Sequence, residues 1–214
     1  ASAVGQVWPY LCPRCGAHYS TPFGKCPDDG QPLVANMAGV RLGDRFLLRR
    51  LVGVGGMGST VWQAVQESTR RSVAIKILPV ENSDAAARFA REAFIIAKLN
   101  HPHITTVHDY GQTEDGKAFL VMELLRGRTL RRVLRQEGAL SVWRALRIAD
   151  QVLRALEYAH REKIVHRDLK TANLFLTSTA DEPDFVKVLD FGIAEVMVGD
   201  EGVDGSEGRQ AHPE

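Results

Sequence analysis

The sequence of 214 residues lacks a strong charge of either sign, because 27 lysines and arginines are balanced by 26 aspartates and glutamates, for a net charge of +1. This balance argues against a nucleic acid or a membrane surface bound through bulk charge. The chain also lacks an apolar run as long as a membrane span and shows no signal peptide. Its first residue is Ala1 rather than Met, which predicts a processed or partial chain. We expect a cytoplasmic protein with no nucleic-acid partner.

Cysteine is scarce, and all three cysteines lie near the N-terminus. An odd number at close spacing favours a zinc site in a reducing compartment over disulfide bonds. Cys12 and Cys15 form a C-P-x-C-G turn, in which two thiolates can reach one tetrahedral ion. Cys26 opens a second turn, C-P-x-x-G, in which Asp29 stands where a fourth cysteine would be. Residues 8–32 therefore resemble a zinc ribbon that uses these four residues as ligands.

Two alternatives remain open for this segment. His18 competes with Asp29 as the fourth ligand, and both turns could instead be metal-free. A segment this small cannot bury a core of its own and usually needs a staple, which favours a bound metal. A site closed by four protein ligands leaves no position for chemistry, so the expected role is structural or partner-binding.

The next stretch is rich in glycine. Residues 33–43 have little periodicity and are predicted to be a linker. A strand over residues 45–52 leads to the turn Gly53-Val54-Gly55-Gly56-Met57-Gly58, whose glycines let backbone N–H groups approach phosphates closely. Such a pattern also occurs in dinucleotide-binding folds, which need a helix directly after the glycines. Residues 59–65 are instead β-branched and strand-like, which argues against those folds.

A lysine and a glutamate follow that are predicted to pair. Lys76 lies near the end of a predicted strand over residues 72–78, where a lysine can also be a snorkelling edge residue. A helix over residues 84–99 places Glu92 on its apolar face, and a carboxylate there is costly unless it is paired. Lys76 is the expected partner, and Arg88, four residues earlier on the same helix, is the alternative.

One polar loop concentrates groups suited to catalysis. The stretch 164–176 carries Asp168, Lys170 and Asn173 between apolar flanks. Asp168 can accept a proton from a hydroxyl, Lys170 can neutralise a phosphate, and Asn173 can bind a hard cation through oxygen. Further along, a predicted buried strand ends in Asp190-Phe191-Gly192, which exposes one carboxylate at a strand end as a metal ligand.

These motifs, in this order, resemble those of bacterial serine/threonine protein kinases of the eukaryotic type. The shared features are G-x-G-G-M-G, V-A-I-K, a helix glutamate, H-R-D-L-x-x-x-N and D-F-G. The resemblance covers residues 44 to about 195 and implies an α+β protein-kinase-like fold. It has a five-stranded antiparallel small lobe and the first helices of the large lobe, preceded by the zinc ribbon. The kinase domain is assigned to residues 44–198, and the Gly- and acid-rich residues 199–214 are predicted to be disordered.

The resemblance also implies cofactors and residue roles. The implied cofactors are ATP and Mg²⁺, in addition to the structural Zn²⁺ of the ribbon. The implied reaction transfers the γ-phosphate of ATP to Ser or Thr hydroxyls of proteins that the sequence does not identify. Asp168 would position or deprotonate the hydroxyl, Lys170 would stabilise the γ-phosphate, and Asn173 and Asp190 would hold Mg²⁺. Met122 would be the residue before the hinge, and it would equally be plain core. The residues implied to serve the nucleotide site are Val52, Gly53, Gly55, Gly58, Val61, Ala74, Lys76, Glu92, Met122, Glu123, Leu125, Phe175 and Asp190.

The sequence departs from the family pattern at two places. Val61 comes three residues after Gly58 instead of two, so either a bulge absorbs the extra residue or Thr60 takes the valine position. Beyond Gly192 there is no A-P-E segment, and Ser206 is the single hydroxyl, so we expect an incomplete domain. A competing hypothesis uses the same residues: a non-catalytic fragment that binds nucleotide or a partner through the small lobe and the ribbon.

Two more helices are predicted from N-cap residues followed by apolar periodicity. Thr129 precedes a short helix, and Ser141 precedes a longer one whose apolar stripe runs from Val142 to Leu156. Without the later helices of the family this stripe is expected to be exposed, at a cost of about 25 cal/mol per Å² of lost burial.

Overall fold

The computed structural model describes residues 9–20, 24–56, 58–79, 83–113, 115–179 and 182–191. Within these ranges the chain forms twelve strands and three helices. In chain order they are β1 Tyr10–Leu11, β2 His18–Tyr19, β3 Val34–Ala35, β4 Arg41–Leu42, β5 Phe46–Val54, β6 Thr60–Gln66, β7 Arg71–Leu78, α1 Ser83–Ile96, β8 Val107–Gln112, β9 Ala118–Glu123, β10 Gly127–Thr129, α2 Leu130–Glu137, α3 Val142–Arg161, β11 Leu174–Thr177 and β12 Phe185–Val188. The predicted tail and the residues Met57, Gly192 and Ser206 lie outside the described residues.

The small lobe is built on an antiparallel sheet with the strand order β4-β5-β6-β7-β9-β8. It has six strands where five were predicted, and the additional strand β4 comes from the predicted linker, residues 33–43. Arg41 and Leu42 pair with Leu47 and Phe46, and the Leu42 side chain is buried. This short segment joins the sheet because it buries one apolar side chain and forms backbone hydrogen bonds to β5. Neither feature produces a periodic pattern in the sequence.

The two faces of this sheet bury different sets of side chains, because successive residues of a strand point to opposite faces. One face, called the outer face below, forms a core with the N-terminal segment. Its members are Leu11, Leu42, Phe46, Leu48, Trp62, Ala64, Val73, Ile75, Ile77, Phe119 and Val121. The other face carries Leu78 and Leu120 into a second core, which also includes Phe89 and Ala93 of α1 and Val152 of α3. This second core joins the small lobe to the large lobe.

Helix α1 ends at Ile96, three residues before the predicted end at residue 99. Lys98 and Leu99 donate their N–H groups to Ile95 and Ile96, at 3.2 and 3.0 Å, so the chain tightens into a last turn with i→i+3 bonds. His101-Pro102 follows, and the residue before a proline disfavours helical dihedrals.

Helices α2 and α3 confirm the predicted caps. The hydroxyls of Thr129 and Ser141 accept hydrogen bonds from the N–H groups of Arg132 and Arg144, both at 3.3 Å. The buried face of α3 is only partly the predicted stripe. Its buried residues are Ile148, Gln151, Val152, Ala155 and Ala159, whereas Val142, Leu146 and Leu153 are exposed. No described helix has the length and apolarity that crossing a membrane requires.

Strand β12 is attached to the segment that follows α1. Ile104 bridges Val188, the N–H of Thr105 donates to the Val188 carbonyl at 3.0 Å, and the N–H of Val188 donates to the His103 carbonyl at 2.8 Å. Strand β12 also pairs with β11. These bonds fix the end of β12, and Asp190 follows two residues later.

Candidate functional site

Lys76 and Asp190 form the ion pair that joins the two lobes across the cleft. The Lys76 ammonium on β7 lies 2.8 Å from Oδ1 of Asp190, and these side chains are 12% and 30% exposed. Asp190 has a φ of 54°, a left-handed conformation that a non-glycine residue adopts only when its surroundings hold it. The structure thus brings together Lys76 and Asp190, two residues that the sequence analysis assigned to the nucleotide site without pairing them.

The predicted partner of Lys76 is Glu92. Glu92 is partly buried on α1, between the buried residues Phe89 and Ala93, as expected from the helix pattern. The ion pair that the described residues give Lys76 is with Asp190. The Lys76–Glu92 pair and the Glu92–Arg88 alternative stay predictions.

The catalytic-loop candidates lie within hydrogen-bonding distance of one another. The Lys170 ammonium is 2.9 and 2.7 Å from the two carboxylate oxygens of Asp168, and the Asn173 side-chain amide donates to the Asp168 carboxylate at 3.1 Å. The Lys170 hydrogen bond lowers the pKa of Asp168 against partial desolvation, so Asp168 remains an ionised proton acceptor at neutral pH. The amide nitrogen of Asn173 also donates to the Asp168 carbonyl at 2.9 Å, which leaves its Oδ1 as the atom suited to a cation.

A buried histidine, to which the sequence analysis gave no role, ties this loop to the D-F-G segment. His166 is 2% exposed, its Nε2 lies 2.8 Å from the Leu189 carbonyl, and its ring is 4.6 Å from that of Phe191. Its Nδ1 accepts from the N–H of Asp168 at 3.3 Å, so Nε2 carries the proton and donates to Leu189. Arg167, the next residue, has a φ of 61°. The signal in the sequence that could have indicated a role for His166 was its place in the H-R-D signature.

The strand register decides which residue takes the valine position after the glycine turn. Val61 lies directly opposite Lys76, and directly opposed residues of an antiparallel pair share a face. Thr60 lies opposite Ile77, which belongs to the outer face. The register thus places Val61, rather than Thr60, on the face of the sheet that carries Lys76, and the contact of Val61 with adenine stays a prediction.

Two further candidates share the Lys76 face. Ala74 precedes Lys76 by two residues on β7 and lies opposite Met122 on β9. Both side chains therefore join Val61 on the cleft side of the sheet. Of the remaining candidates, Val52 is exposed on β5, and Leu125 is partly buried between β9 and β10. Their contacts with a nucleotide stay predictions.

The glycine turn is closed by Ser59, which is buried. Gly55 donates to the Ser59 carbonyl at 2.9 Å, and the Ser59 N–H and hydroxyl both bond the Gly56 carbonyl. A Cβ at Gly55 would clash with the Ser59 hydroxyl, and Gly58 has a φ of 71°. At these two positions the conformation requires glycine.

The hinge candidate Glu123 is bound on the side of β12. Its carboxylate lies 2.7 Å from the Lys187 ammonium and accepts the N–H of Thr106 at 2.8 Å, while its own N–H donates to the Thr106 carbonyl at 3.0 Å. Lys187 also donates to the Ile104 carbonyl at 3.3 Å. The carboxylate and the N–H of Glu123 are thus both bonded within the protein. The sequence analysis missed this pair, although a lysine inside a buried strand indicates that a partner exists.

Phe175 on β11 lies opposite the end of β10, and its ring extends toward Gly127 at the start of that strand. It pairs with Thr129 and Lys187, and its side chain points away from the buried neighbours Leu174 and Leu176. A Cβ at Gly127 would clash with the Leu176 carbonyl oxygen and would lie 3.0 Å from the Phe175 ring. The backbone of β10 thus approaches Phe175 closely, where the hinge connection enters the large lobe.

The N-terminal candidates form a separate cluster. One ligand atom from each of Cys12, Cys15, Cys26 and Asp29 lies within 4.8 Å of all the others. The sulfurs of Cys15 and Cys26 are 3.7 Å apart, and Cys12 is 3.3 Å from the nearer Asp29 oxygen. His18 is exposed and lies 3.4 Å from Asn36 instead. The geometry favours Asp29 over His18, and sulfur with carboxylate is a donor set that suits zinc.

Protonation is uneven within this cluster. Desolvation acts against ionisation of Cys26, but hydrogen bonds from the Tyr19 hydroxyl and the backbone of Asp28 and Asp29 lower its pKa. The backbone hydrogen bond of Ala17 favours the Cys15 thiolate, yet desolvation and the neighbouring cysteines raise the pKa of Cys15 to about 11. A metal ion bound here would displace the remaining thiol protons.

Comparisons with known proteins agree with this geometry. The protein kinase domain family matches residues 46–210. PknA of Mycobacterium tuberculosis, a serine/threonine-protein kinase, is 45% identical over 74% of this chain and 37% of its own length. The serine/threonine-protein kinase pkn3 of Myxococcus xanthus is 43% identical over 71% of this chain and 28% of its own length.

Solved structures show the same fold. The Mycobacterium tuberculosis PknI kinase domain superposes with a TM-score of 0.66 at 30% identity, covering 74% of this chain and 64% of that one. Rad53 residues 1–466 in complex with AMP-PNP gives a TM-score of 0.60 at 32% identity, over 67% and 37% of the two chains. Because the family match spans most of the chain and the paired lysine, the loop aspartate and the D-F-G aspartate stand where that fold needs them, this chain belongs to the protein kinase family.

Proposed function

We propose that the chain contains the nucleotide-binding and catalytic residues of a serine/threonine protein kinase, which transfers the γ-phosphate of ATP to protein hydroxyls. The observation that carries the proposal is a hydrogen bond between the catalytic loop and the D-F-G segment. The N–H of Leu189 donates to the Asn173 carbonyl at 2.8 Å, so the loop that holds Asp168 is bonded directly to the segment that holds Asp190. The names of the relatives support the substrate class.

The chain spans 28% and 37% of the length of two of the relatives that it matches. The activity, the substrates and the partners of a whole protein are therefore proposals. We propose domain boundaries at residues 8–32 for the ribbon and 44–198 for the kinase domain. The three free cysteines support the cytoplasm as the compartment, since thiols stay reduced there.

The residues divide the work of phosphoryl transfer as follows. Asp168 is ionised and takes the proton of the attacking hydroxyl, while Lys170 at its side neutralises charge on the γ-phosphate. Asn173 Oδ1 and Asp190 would hold Mg²⁺, which would neutralise phosphate charge when bound. The Lys76–Asp190 pair places one cation and one anion at the cleft, so Lys76 would bind phosphate oxygens and Asp190 would hold the metal. Val61, Ala74 and Met122 give the adenine an apolar face.

A phosphotransfer assay tests the proposal. The chain is incubated with radiolabelled ATP, Mg²⁺ and a generic Ser/Thr protein substrate, beside Asp168→Asn and Lys76→Met variants. Transfer that depends on both residues supports the kinase. The competing function, a nucleotide-binding module without catalysis, predicts ATP binding that Lys76→Met weakens and no transfer by any form, including one extended through further helices of the domain.

We also propose that the ribbon binds one zinc ion through Cys12, Cys15, Cys26 and Asp29, as a structural site. The support is the closeness of four ligand atoms in a segment too small to form its own core. Native mass spectrometry should find about one zinc per chain, and Cys15→Ser should lower the zinc content strongly. A zinc-free protein whose ribbon is ordered would contradict this site.

A further inference from the structure

The ribbon and the kinase sheet share one hydrophobic core. Leu11, in the first strand of the ribbon, is buried among residues of the outer face such as Trp62, Ile75 and Phe119. Val34 and Met37, which follow the second metal-binding turn, pack against the same cluster. The ribbon is therefore a layer on the outer face of the sheet.

Backbone hydrogen bonds continue from this layer into the sheet. The N–H of Asn36 donates to the Pro9 carbonyl at 2.8 Å, which closes the base of the ribbon. The N–H of Gly39 donates to the Leu48 carbonyl at 2.8 Å, and the N–H of Leu48 donates to the Val40 carbonyl at 2.9 Å. The connection is thus bonded to β5 directly after the ribbon, so movement of one constrains the other.

The metal-ligand cluster adjoins the shared core within the chain. Leu11 is followed directly by Cys12, which is fully buried and whose N–H donates to the Ala17 carbonyl at 2.8 Å. Strand β1 pairs with β2 and with β3, so the turn that presents Cys12 and Cys15 also sets the position of Leu11. Closing the turns around an ion holds Leu11 in the sheet core.

Strand β7 connects this core to the nucleotide face. Ile75 and Ile77 point to the ribbon side, and between them Lys76 points to the cleft, with Ala74 on the same side as Lys76. A change in the packing of Ile75 and Ile77 therefore acts on the strand that carries the phosphate-binding lysine.

We propose that metal bound to the ribbon stabilises the small-lobe sheet, and that metal binding and nucleotide binding consequently strengthen each other. This inference rests on the zinc site proposed above. An ion that binds the folded ribbon adds its binding free energy to every structure that unfolds together with the ribbon. The bound ion therefore stabilises the sheet as well, because side chains of the ribbon and of the sheet form one hydrophobic core.

Hydrogen exchange of the full chain, with and without zinc, tests the coupling. Amides of β5, β6 and β7 should exchange more slowly with zinc, by up to about 100-fold at free zinc near 100 times its Kd. Leu11→Ala should keep zinc bound and reduce this effect in the sheet, because Leu11 is the buried link while Val34 and Met37 are only partly buried. Val40→Ala is the matched control, since its exposed side chain lies outside the shared core while its backbone bond to Leu48 is retained.

Calorimetric titration supplies a reciprocal test. If zinc raises the affinity for ATP by some factor, ATP must raise the affinity for zinc by the same factor, and both factors should decrease together in Leu11→Ala. Zinc bound with unchanged exchange in β5–β7 and unchanged ATP affinity would overturn the coupling and leave the metal site standing. A chain that binds no zinc would overturn both.

Discussion

Removing the Lys187 ammonium tests how strongly the hinge is bound to the strand that leads to Asp190. Lys187 lies 2.7 Å from the Glu123 carboxylate, and the side chains are 13% and 23% exposed. In Lys187→Met the unbranched methionine side chain fills most of the space of the lysine methylenes, so the main change is the loss of the positive charge. The Glu123 carboxylate then keeps the Thr106 N–H at 2.8 Å as a partner, in a site where little water reaches it.

The expected cost follows from that burial. Breaking a fully buried ion pair by removing one partner costs about 3–5 kcal/mol, because the other charge stays buried without compensation. Here the carboxylate retains some exposure and one hydrogen bond, so Lys187→Met should lower the free energy of unfolding by about 2–3 kcal/mol. Adding Glu123→Gln should recover part of the loss, with a coupling of about 1–3 kcal/mol between the two sites.

Urea unfolding of the four forms of this double-mutant cycle measures these quantities. The matched control is Arg154→Met, which breaks a pair of similar length, 2.8 Å to Asp150, between side chains that are 65% and 58% exposed. That change should cost about 0.5 kcal/mol or less. If Lys187→Met costs no more than Arg154→Met, the argument that burial gives the Glu123–Lys187 pair its strength is refuted.

Other substitutions probe the loop and the close backbone approach. Asp168→Asn should lower phosphotransfer by about 10²–10⁴-fold without weakening ATP binding, as measured by filter binding; a large loss of ATP affinity would contradict its role as proton acceptor. Lys170 lowers the pKa of Asp168, so the stability from this carboxylate is present above its unfolded pKa and is lost as pH falls through the lower folded pKa. Lys170→Met should therefore move the acid limb of the kcat/KM profile to higher pH, and an unmoved limb would refute the assignment. Gly127→Ala should destabilise by more than about 2 kcal/mol through its clash with the Leu176 carbonyl, whereas Gly116→Ala, with open space around it, should cost about 1 kcal/mol; equal thermal shifts would contradict the clash.

The features that the sequence predicted well depend on short-range patterns. Thr129 and Ser141 cap helices because a hydroxyl at that position bonds an N–H three residues later, which needs no knowledge of the rest of the fold. The spacing of the cysteines likewise predicted a cluster with Asp29 or His18 as its fourth member, and the structure brings Asp29 to Cys12, Cys15 and Cys26. The family resemblance put Lys76 and Asp190 in one nucleotide site, but it paired Lys76 with Glu92, and the ion pair with Asp190 was not predicted.

The features that escaped prediction depend on contacts between distant segments. Lys187 and Glu123 are separated by 64 positions, so a buried lysine showed that a partner was needed and not which one. On α3, the buried residues Ile148, Val152 and Ala155 follow the same helical spacing as the exposed Leu146 and Leu153. Only packing against β12 selects between these overlapping stripes.

Leu189 shows why the kinase signature is a record of backbone contacts as well as of chemical groups. Its carbonyl accepts a hydrogen bond from His166, and its N–H donates to the carbonyl of Asn173, both at 2.8 Å. Both backbone polar groups of Leu189 are therefore bonded to the catalytic loop. Asp168 lies between His166 and Asn173, and Asp190 follows Leu189 directly. The segments that carry the two carboxylates are therefore joined by two hydrogen bonds in which neither carboxylate takes part. The chemistry needs the acids, but the side chain of His166 and the backbone of Asn173 join the two segments that carry them.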